Sequence, residues 1–245
     1  FRSVTPSRKK QKISDSPTVR LSMGVENYLL SIFQLGEQNR RVTLTELSDQ
    51  LKRLPEGEGL GTSLPSVGAM VRRMARESLV EITMDKEVLL TLRGRCVAES
   101  MVRRHRLAER MVVDLLGLEL HKSHVEAHRL EHAISQDLEK KIIDRLGNPT
   151  TCPFGHPIPG SGYVQPKNLM ALSTVPEGSE VVVRSVPEDD EMLLEFLVNN
   201  ALIPGEFIAI KETASYRGVI TLLCRGEDVV VGYEVATRIW VTDAG

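Results

Sequence analysis

Four of the chain's six histidines lie within twelve residues, together with two glutamates. These residues are His121, His124, Glu126, His128, Glu131 and His132. An α-helix turns once every ~3.6 residues, so the last three of these histidines and Glu131 share one helix face. Neutral imidazole and carboxylate are good ligands for divalent first-row metal ions. The pattern therefore predicts a metal site; the other interpretation is a solvated polar face of an amphipathic helix.

A fifth histidine, His105, precedes this cluster and is followed four residues later by Glu109. Both lie in a predicted helix that begins at Gly94, continues to about Leu116 and is stopped by Gly117. Residues four positions apart in a helix lie on the same face. His105 and Glu109 are therefore candidate metal ligands from a second helix.

The segment before this helix has the pattern of a three-helix module. Helical periodicity between Val25 and Leu35 predicts a first helix that ends at Gly36. Thr43 has the spacing of a helix N-cap, with Glu46 as its capping-box partner. A second short helix follows Thr43, and a third helix follows a Pro/Gly-rich stretch at residues 55–61.

The third helix begins at Ser63 or Ser66 and is rich in arginine, and two short strands follow it. Three helices and a two-stranded wing are the order of a winged helix-turn-helix, in which the second helix of the helix-turn-helix pair enters the major groove of DNA. The other interpretation is a small helical bundle with an ordinary Arg-rich face. The predicted DNA contacts are Thr43, Ser63, Ser66, Arg72 and Arg73.

Charge is distributed unevenly along the chain. The net charge is −2, but residues 1–115 carry 20 Lys and Arg against 14 Asp and Glu, and residues 116–245 carry 11 against 19. A basic half joined to an acidic half indicates a polyanion-binding module attached to a different one. No apolar run approaches the ~18 residues of a membrane span.

The C-terminal part of the sequence contains two segments of different composition. Residues 148–166 are rich in proline and glycine, and from about residue 172 short alternating strands surround one predicted helix at 192–201, which indicates a small barrel. We therefore predict a mainly α protein with a small C-terminal β domain. Its segments are a basic tail at 1–19, a winged helix-turn-helix at 20–94, a helical domain at 95–147, a linker at 148–171 and the barrel at 172–245.

Three cysteines, Cys96, Cys152 and Cys224, lie far apart and form no CxxC motif. This usage fits a reducing cytoplasm rather than a disulfide framework. Cys96 and Cys224 have apolar neighbours and are predicted to be small core residues. An exposed, redox-sensitive Cys152 is left open.

Three short motifs resemble the diphtheria-toxin-repressor family of metal-dependent transcription regulators. They are HRLAER at 105–110, HVEAHRLEH at 124–132 and CPFGHPIPG at 152–160. The similarity covers about residues 20–243. It implies a winged helix-turn-helix, a helical dimerisation and metal-binding domain, and an SH3-like (FeoA-like) domain.

The resemblance also implies two metal sites. The primary site joins the first helix to the histidine cluster, and its positions fall on Asn27, His128, Glu131 and His132. The ancillary site includes side chains from the SH3-like domain, and its positions fall on His105, Glu109, His124, Glu188 and Glu191.

This chain departs from both usual forms of the primary site. Iron-type members usually carry Met at the position of Asn27 and Cys at the position of His128, and manganese-type members carry carboxylates at both. A donor set without sulfur favours Mn²⁺ or Fe²⁺ over softer ions, while Zn²⁺, Co²⁺ or Ni²⁺ can substitute in vitro. The Pro/Gly-rich stretch at 55–61 is a further departure, an insertion within the helix-turn-helix.

The resemblance implies a cytoplasmic homodimer that binds a palindromic operator in double-stranded DNA when metal is bound and represses metal-uptake genes. It implies no membrane, no small-molecule substrate and no enzyme activity. One alternative is a metal-independent DNA-binding protein with a histidine-rich surface. The other is a metallohydrolase, which is disfavoured because no HExxH motif, Ser/His/Asp order or phosphate loop accompanies the histidines.

Overall fold

The structure is a computed structural model that describes residues 21–38, 40–54 and 60–244. The predicted tail at 1–19 and residues 55–59 of the predicted insertion lie outside these residues. Helices dominate the first part of the chain and an antiparallel sheet the last part, which confirms the predicted fold class. Among the described residues, no helix has the length and apolar character needed to cross a membrane.

Three helices and a two-stranded antiparallel wing form the N-terminal module, in the predicted order. They are α1 (Met23–Glu37), α2 (Leu44–Leu51), α3 (Leu64–Arg76), β1 (Val80–Ile82) and β2 (Val88–Leu90). The Thr43 hydroxyl accepts a hydrogen bond from the backbone N–H of Glu46 at 3.2 Å, so the predicted cap of α2 is confirmed. Gly36 lies inside the last turn of α1, so it does not end that helix.

The helical middle module follows the wing without a gap. Its helices are α4 (Leu92–Arg110), which continues into a π-helical turn (Met111–Leu115), α5 (Ser123–Glu131) and α6 (Gln136–Arg145). The helix α4 begins two residues before Gly94 because Thr91 caps it, accepting from the Gly94 N–H at 3.0 Å. A Cβ at Gly94 would lie 1.8 Å from the carbonyl oxygen of Leu79. Glycine is therefore required where α4 packs against the N-terminal module.

The Pro/Gly-rich segment after α6 contains an isolated bridge between Thr151 and Pro157. Cys152 and Phe154 are fully buried in the core of the C-terminal domain, and Ile158 is buried in the core of the helical module. The predicted linker is thus a packed connection, because its apolar side chains fill two cores. The predicted domain boundaries themselves stay predictions.

The C-terminal domain is a six-stranded antiparallel sheet in the order β3-β8-β4-β5-β6-β7. Its strands are β3 (Met170–Ala171), β4 (Glu180–Ser185), β5 (Phe207–Ala214), β6 (Val219–Cys224), β7 (Glu227–Gly232) and β8 (Trp240–Asp243), and its helices are α7 (Glu191–Asn199) and α8 (Tyr233–Ala236). Alternate residues of β6 face the core, which is the period-2 pattern that the sequence predicted. The loop between β4 and α7 leaves this sheet toward the helical module.

Candidate metal centre

The helices α4 and α5 pack against each other and bury a cluster of histidine and glutamate side chains. His105 and Glu109 on α4 are fully buried, as is Glu131 on α5, and His128 is 1% exposed. Burying ionisable groups is costly unless they are paired or bind a metal ion. This concentration of donors in the interior excludes the interpretation of the cluster as a solvated polar face.

One group of donors reproduces most of the predicted ancillary site. Nε2 of His105 lies 3.0 Å from Oε1 of Glu109, and Nδ1 of His124 lies 2.9 Å from the same oxygen. Ligand atoms of these three residues and of Glu188 all lie within 4.8 Å of one another. Glu188 comes from the loop after β4, so the C-terminal domain places one of the predicted ancillary residues in this group.

Glu191 does not join this group. Asp190 caps α7 by accepting from the Leu193 N–H at 3.0 Å, so Glu191 is the first residue of that helix and is exposed. It lines a cleft of about 230 Å³ next to His124 and Glu188. His121 is half-buried and lines the same cleft.

The second group contains all the predicted residues of the primary site. Oδ1 of Asn27 on α1 lies 3.0 Å from Nε2 of His132. Oε1 of Glu131 lies 3.4 Å from the same Nε2 and 3.4 Å from Nδ1 of His128. Asn27 is fully buried, unlike an ordinary solvent-exposed residue on a helix.

His128 lies between the two groups, which the sequence analysis did not anticipate. Its ring centroid is 4.5 Å from that of His105 and 4.7 Å from that of His124. A ring nitrogen of each of these three histidines falls within 4.8 Å of the others. The two donor groups are therefore contiguous, because His128 and Glu131 contact residues of both.

Glu26 is a member of the site that the sequence analysis missed. Its Oε2 lies 2.7 Å from Nδ1 of His132, and its Oε1 lies 3.5 Å from the guanidinium of Arg104. Metal-bound histidines usually donate their second ring N–H to a carboxylate, which fixes the ring orientation. The available signal was the position of Glu26, one residue before Asn27 on the same helix.

The pKa values of His128 and Glu131 favour the protonation states that bind a cation. Burial lowers the pKa of His128 to about 4, so its imidazole is neutral at pH 7. Burial alone would raise the pKa of Glu131, but His128 and His105 lower it to about 2. His105 differs, because Glu109 and Glu131 overcome the effect of burial and raise its pKa well above the usual value.

Several donor atoms are buried without a hydrogen-bond partner. They are Nδ1 and Nε2 of His128, Oε1 of Glu131 and Oε2 of Glu109. An unsatisfied buried polar atom costs about 1–3 kcal/mol, so a cluster of them indicates a site that can bind an ion or water. Nitrogen and oxygen donors at this spacing fit a divalent first-row metal ion.

The predicted DNA contacts lie on the N-terminal module and do not include any residue of the metal centre. Ser63, Ser66, Arg72 and Arg73 are exposed on or at the start of α3, and Ser63 is the residue that caps it. Arg73 pairs with Glu77 at 2.9 Å. Thr43 is half-buried and its hydroxyl caps α2, so its side chain already has a structural role.

The prediction for one cysteine is wrong, that for another is confirmed, and the possibility left open for Cys152 is excluded. Cys96 is exposed and so is not a core residue, because α4 turns its polar side outward there. Cys152 is fully buried against the C-terminal core, and Cys224 is buried as predicted. Cys152 lies with its Sγ 3.7 Å from Oε2 of Glu188.

Fold and site together define a winged helix-turn-helix protein with a buried metal centre between its helices. Two family models match the chain: "Iron dependent repressor, metal binding and dimerisation domain" at residues 91–160 and "FeoA domain" at residues 170–243. The iron-dependent repressor IdeR of Mycobacterium tuberculosis (strain H37Rv) is 35% identical over 230 residues, which are 88% of this chain and 95% of the relative. That of Mycobacterium leprae is 34% identical over 229 residues, with the same two coverages.

Solved structures agree with these sequence relatives. A manganese-dependent transcriptional repressor in complex with manganese superposes with a TM-score of 0.79 at 28% identity, over 89% of this chain and 99% of that one. The IdeR structure of T. acidophilum has a TM-score of 0.74 at 26% identity, over 89% and 97%. The chain belongs to the diphtheria-toxin-repressor family of iron- and manganese-dependent transcriptional repressors.

Proposed function

We propose that the chain is a cytoplasmic, homodimeric repressor that uses Mn²⁺ or Fe²⁺ to bind a palindromic operator and silence metal-uptake genes. The observation that carries the proposal is the contact between α1 and the metal centre. Asn27 reaches His132 at 3.0 Å, and Glu26 reaches the same ring at 2.7 Å. An ion bound here would tie the first helix of the DNA-binding module to α5.

Each ligand group has its own task in this proposal. The primary ion is held by Asn27, His128, Glu131 and His132, and the ancillary ion by His105, Glu109, His124 and Glu188. Bound metal acts as a crosslink between helices and as a local positive charge, and it performs no chemistry on a substrate. Glu191 lies outside the donor group, and we leave it as a residue of the neighbouring cleft.

The ion changes DNA affinity only through its different affinity for two arrangements of the DNA-binding modules. In a dimer, two recognition helices must match the separation of two operator half-sites. The pinned α1 restricts each module to the matching arrangement. By thermodynamic reciprocity, operator DNA then raises metal affinity by the same factor.

The exposed surface of α3 supports DNA binding by this module. Ser63, Ser66 and Arg72 are exposed and are free of carboxylate partners among the described residues. Arginine contacts to phosphate would give a salt-dependent affinity, and contacts at the start of α3 would read base edges. Thr43 contributes through its backbone position and its cap.

Exposed apolar residues on the helical module support the homodimer. Leu116 is 71% exposed, and Leu115 and Leu138 are more than 40% exposed. Exposed large apolar side chains on the helices of this module are candidates for a protein interface. The matching model's description, a metal-binding and dimerisation domain over residues 91–160, agrees with this placement.

The absence of sulfur donors supports Mn²⁺ or Fe²⁺ as the effector. Both predicted groups contain only imidazole nitrogen and carboxylate or amide oxygen, which suit these ions and also accept Zn²⁺, Co²⁺ or Ni²⁺. The chain's relatives include named iron-dependent repressors, and its structural neighbours include manganese-dependent ones.

The test is fluorescence anisotropy on DNA from the region upstream of the protein's own gene. Wild type and His132→Ala are compared at fixed salt with chelator, Mn²⁺, anaerobic Fe²⁺ and Zn²⁺. We expect affinity to rise with metal for wild type and to stay flat for the variant, and the ranking of ions identifies the effector. Equal wild-type affinity with chelator and with every metal would instead support the metal-independent DNA-binding protein.

A further inference from the structure

The loop between β4 and α7 reaches from the SH3-like domain to the N-terminal module. Its residues Glu188 and Asp189 are adjacent in sequence, and their side chains are 8% and 5% exposed. They contact different residues of the N-terminal module, Glu188 on α1 and Asp189 just after α2. Neighbouring residues have Cα atoms only ~3.8 Å apart, so fixing one side chain restricts the other.

Glu188 contacts α1 as well as the metal centre. Its Oε1 accepts a hydrogen bond from Nε2 of Gln34 at 3.3 Å. Its Oε2 lies 3.5 Å from Nε2 of His156 and 3.7 Å from Sγ of Cys152. Glu188 therefore has polar neighbours in the N-terminal module and in the segment that connects to the C-terminal domain, in addition to its place in the ligand group of His105, Glu109 and His124.

Asp189 contacts the end of the first helix of the helix-turn-helix. Its carboxylate pairs with Arg53, which follows α2, and with Arg238, which follows α8 in its own domain. The pair with Arg238 holds the loop, whereas the pair with Arg53 crosses to the DNA-binding module.

We propose that Asp189 is a positioning residue, and that its ion pair with Arg53 latches the SH3-like domain onto the helix-turn-helix. An ion bound by Glu188 then orients the DNA-binding module through the loop, in addition to the route through Asn27. The latch rests on the proposed function, because it assumes that metal raises DNA affinity. Neither Asp189 nor Arg53 belongs to a ligand group or to the predicted DNA contacts.

The burial of Asp189 explains how its ion pair with Arg53 can hold the two domains together. Exposed ion pairs contribute little, typically ~0.2–1 kcal/mol, because water screens both charges. Arg53 is 42% exposed, but the carboxylate of Asp189 is almost removed from water. Losing Arg53 leaves that carboxylate with one cation instead of two and removes the direct ionic contact between the two domains that the described residues make.

The chain offers a matched control one residue away. Lys52 carries the same charge, and its Nζ pairs with Asp49 at 2.8 Å inside the helix-turn-helix without contacting the SH3-like domain. Arg53→Gln and Lys52→Gln therefore remove one positive charge from the same surface. Only Arg53→Gln removes the interdomain contact, so any loss of non-specific DNA attraction is equal in both.

The first experiment measures the metal-induced gain in DNA affinity, as the ratio of dissociation constants with chelator and with Mn²⁺, for full-length wild type and both variants. We expect Arg53→Gln to lower this gain about 3-fold and Lys52→Gln to leave it unchanged, the size expected for one partly buried pair. Equal gains in the two variants would overturn the latch. A loss for Arg53→Gln that is the same with chelator and with metal would identify Arg53 as a phosphate contact and also overturn it.

A second measurement needs no DNA. Trp240 is the only tryptophan and lies in β8, so its time-resolved fluorescence anisotropy reports the motion of the SH3-like domain. With Mn²⁺ bound, we expect faster depolarisation for Arg53→Gln than for wild type and Lys52→Gln. Identical decays would overturn the latch. If wild type shows no metal-induced gain on DNA, the proposed function fails, and the Trp240 decays still decide whether the domains are latched.

Discussion

The two proposed ligand groups of the metal centre lie on different helices. His105 and Glu109 of the ancillary group are fully buried on α4 and already joined by short contacts between imidazole and carboxylate. The primary group depends on α1, since Asn27 reaches it from the DNA-binding module. His132 and Glu26 at its edge are 8% and 14% exposed.

This difference indicates which group acts as the switch. Donors on two firmly packed helices are pre-assembled, so an ion there changes little except the position of the loop that carries Glu188. Donors divided between α1 and α5 come together only when the DNA-binding module is in place. We infer that the primary group converts metal binding into movement of α1, and that the ancillary group stabilises the result.

The largest effect is expected from His128→Leu, because His128 contacts residues of both groups. Removing its nitrogens should lower the affinity for the primary ion, of which it is a proposed ligand, by more than about 100-fold, and should weaken the ancillary ion to a smaller extent because the ring contacts His105 and His124. It also removes two unpartnered buried atoms, so the metal-free protein should gain about 1–3 kcal/mol of unfolding free energy. Metal content after dialysis and urea unfolding in chelator measure the two effects.

His121→Leu is the matched control, since this histidine lies in the cleft outside both groups. It should leave both metal affinities unchanged. Retention of two tightly bound ions by His128→Leu would show that His128 is not a ligand of the primary ion.

Glu188→Gln separates the two groups. It removes the charge of one ancillary ligand and should lower the affinity for that ion by about 10–100-fold while leaving the primary ion in place. Metal titration by calorimetry should show one weakened and one unchanged binding event. If both events weaken equally, the groups are not independent and the comparison drawn above is wrong.

Glu26→Gln is the counterpart on the α1 side. The variant keeps the shape of the side chain but no longer presents a carboxylate to Nδ1 of His132. The primary ion should bind about 10-fold more weakly, the lower end of the effect for a residue that orients a histidine ligand. The same titration distinguishes it from Glu188→Gln, because the other binding event should weaken.

The extent of sequence prediction also differs between the two groups. Spacing on single helices predicted that His124, His128 and Glu131 share a face, because helical geometry is local. Glu26 was missed because its role depends on α1 packing beside α5, which no local pattern encodes. Glu191 lies outside the donor group at the first position of α7, because the cap at Asp190 determines where that helix begins.

The same limit applies to the fold. The wing, the cap at Thr43 and the strands β5 and β6 follow local patterns and were predicted. The packing of Cys152 and Phe154 was not, because a Pro/Gly-rich stretch has no periodicity that would show burial. The position of the loop carrying Glu188 and Asp189 likewise follows from tertiary contacts with Gln34 and Arg53.

The smallest expected effect is a difference in pH dependence. His105 has a raised pKa between Glu109 and Glu131, so it holds a proton in the metal-free protein at neutral pH, whereas burial lowers the pKa of His128 to about 4. A metal ion must displace the proton from His105 but finds His128 already neutral. Affinity for the ancillary ion should therefore rise with pH by up to about tenfold per unit until pH exceeds the pKa of His105.

The stability of the metal-free protein changes with pH in the opposite direction to its metal affinity. A histidine whose pKa is raised on folding stabilises the folded state below its unfolded pKa, and this contribution is lost as pH rises through its folded pKa. Calorimetric titrations in buffers of different ionisation enthalpy count the protons released per ion. Release of about one proton with the ancillary ion is expected from His105 alone. No proton release would mean that His105 is neutral before metal binds, and that the ancillary group is not held together by charge.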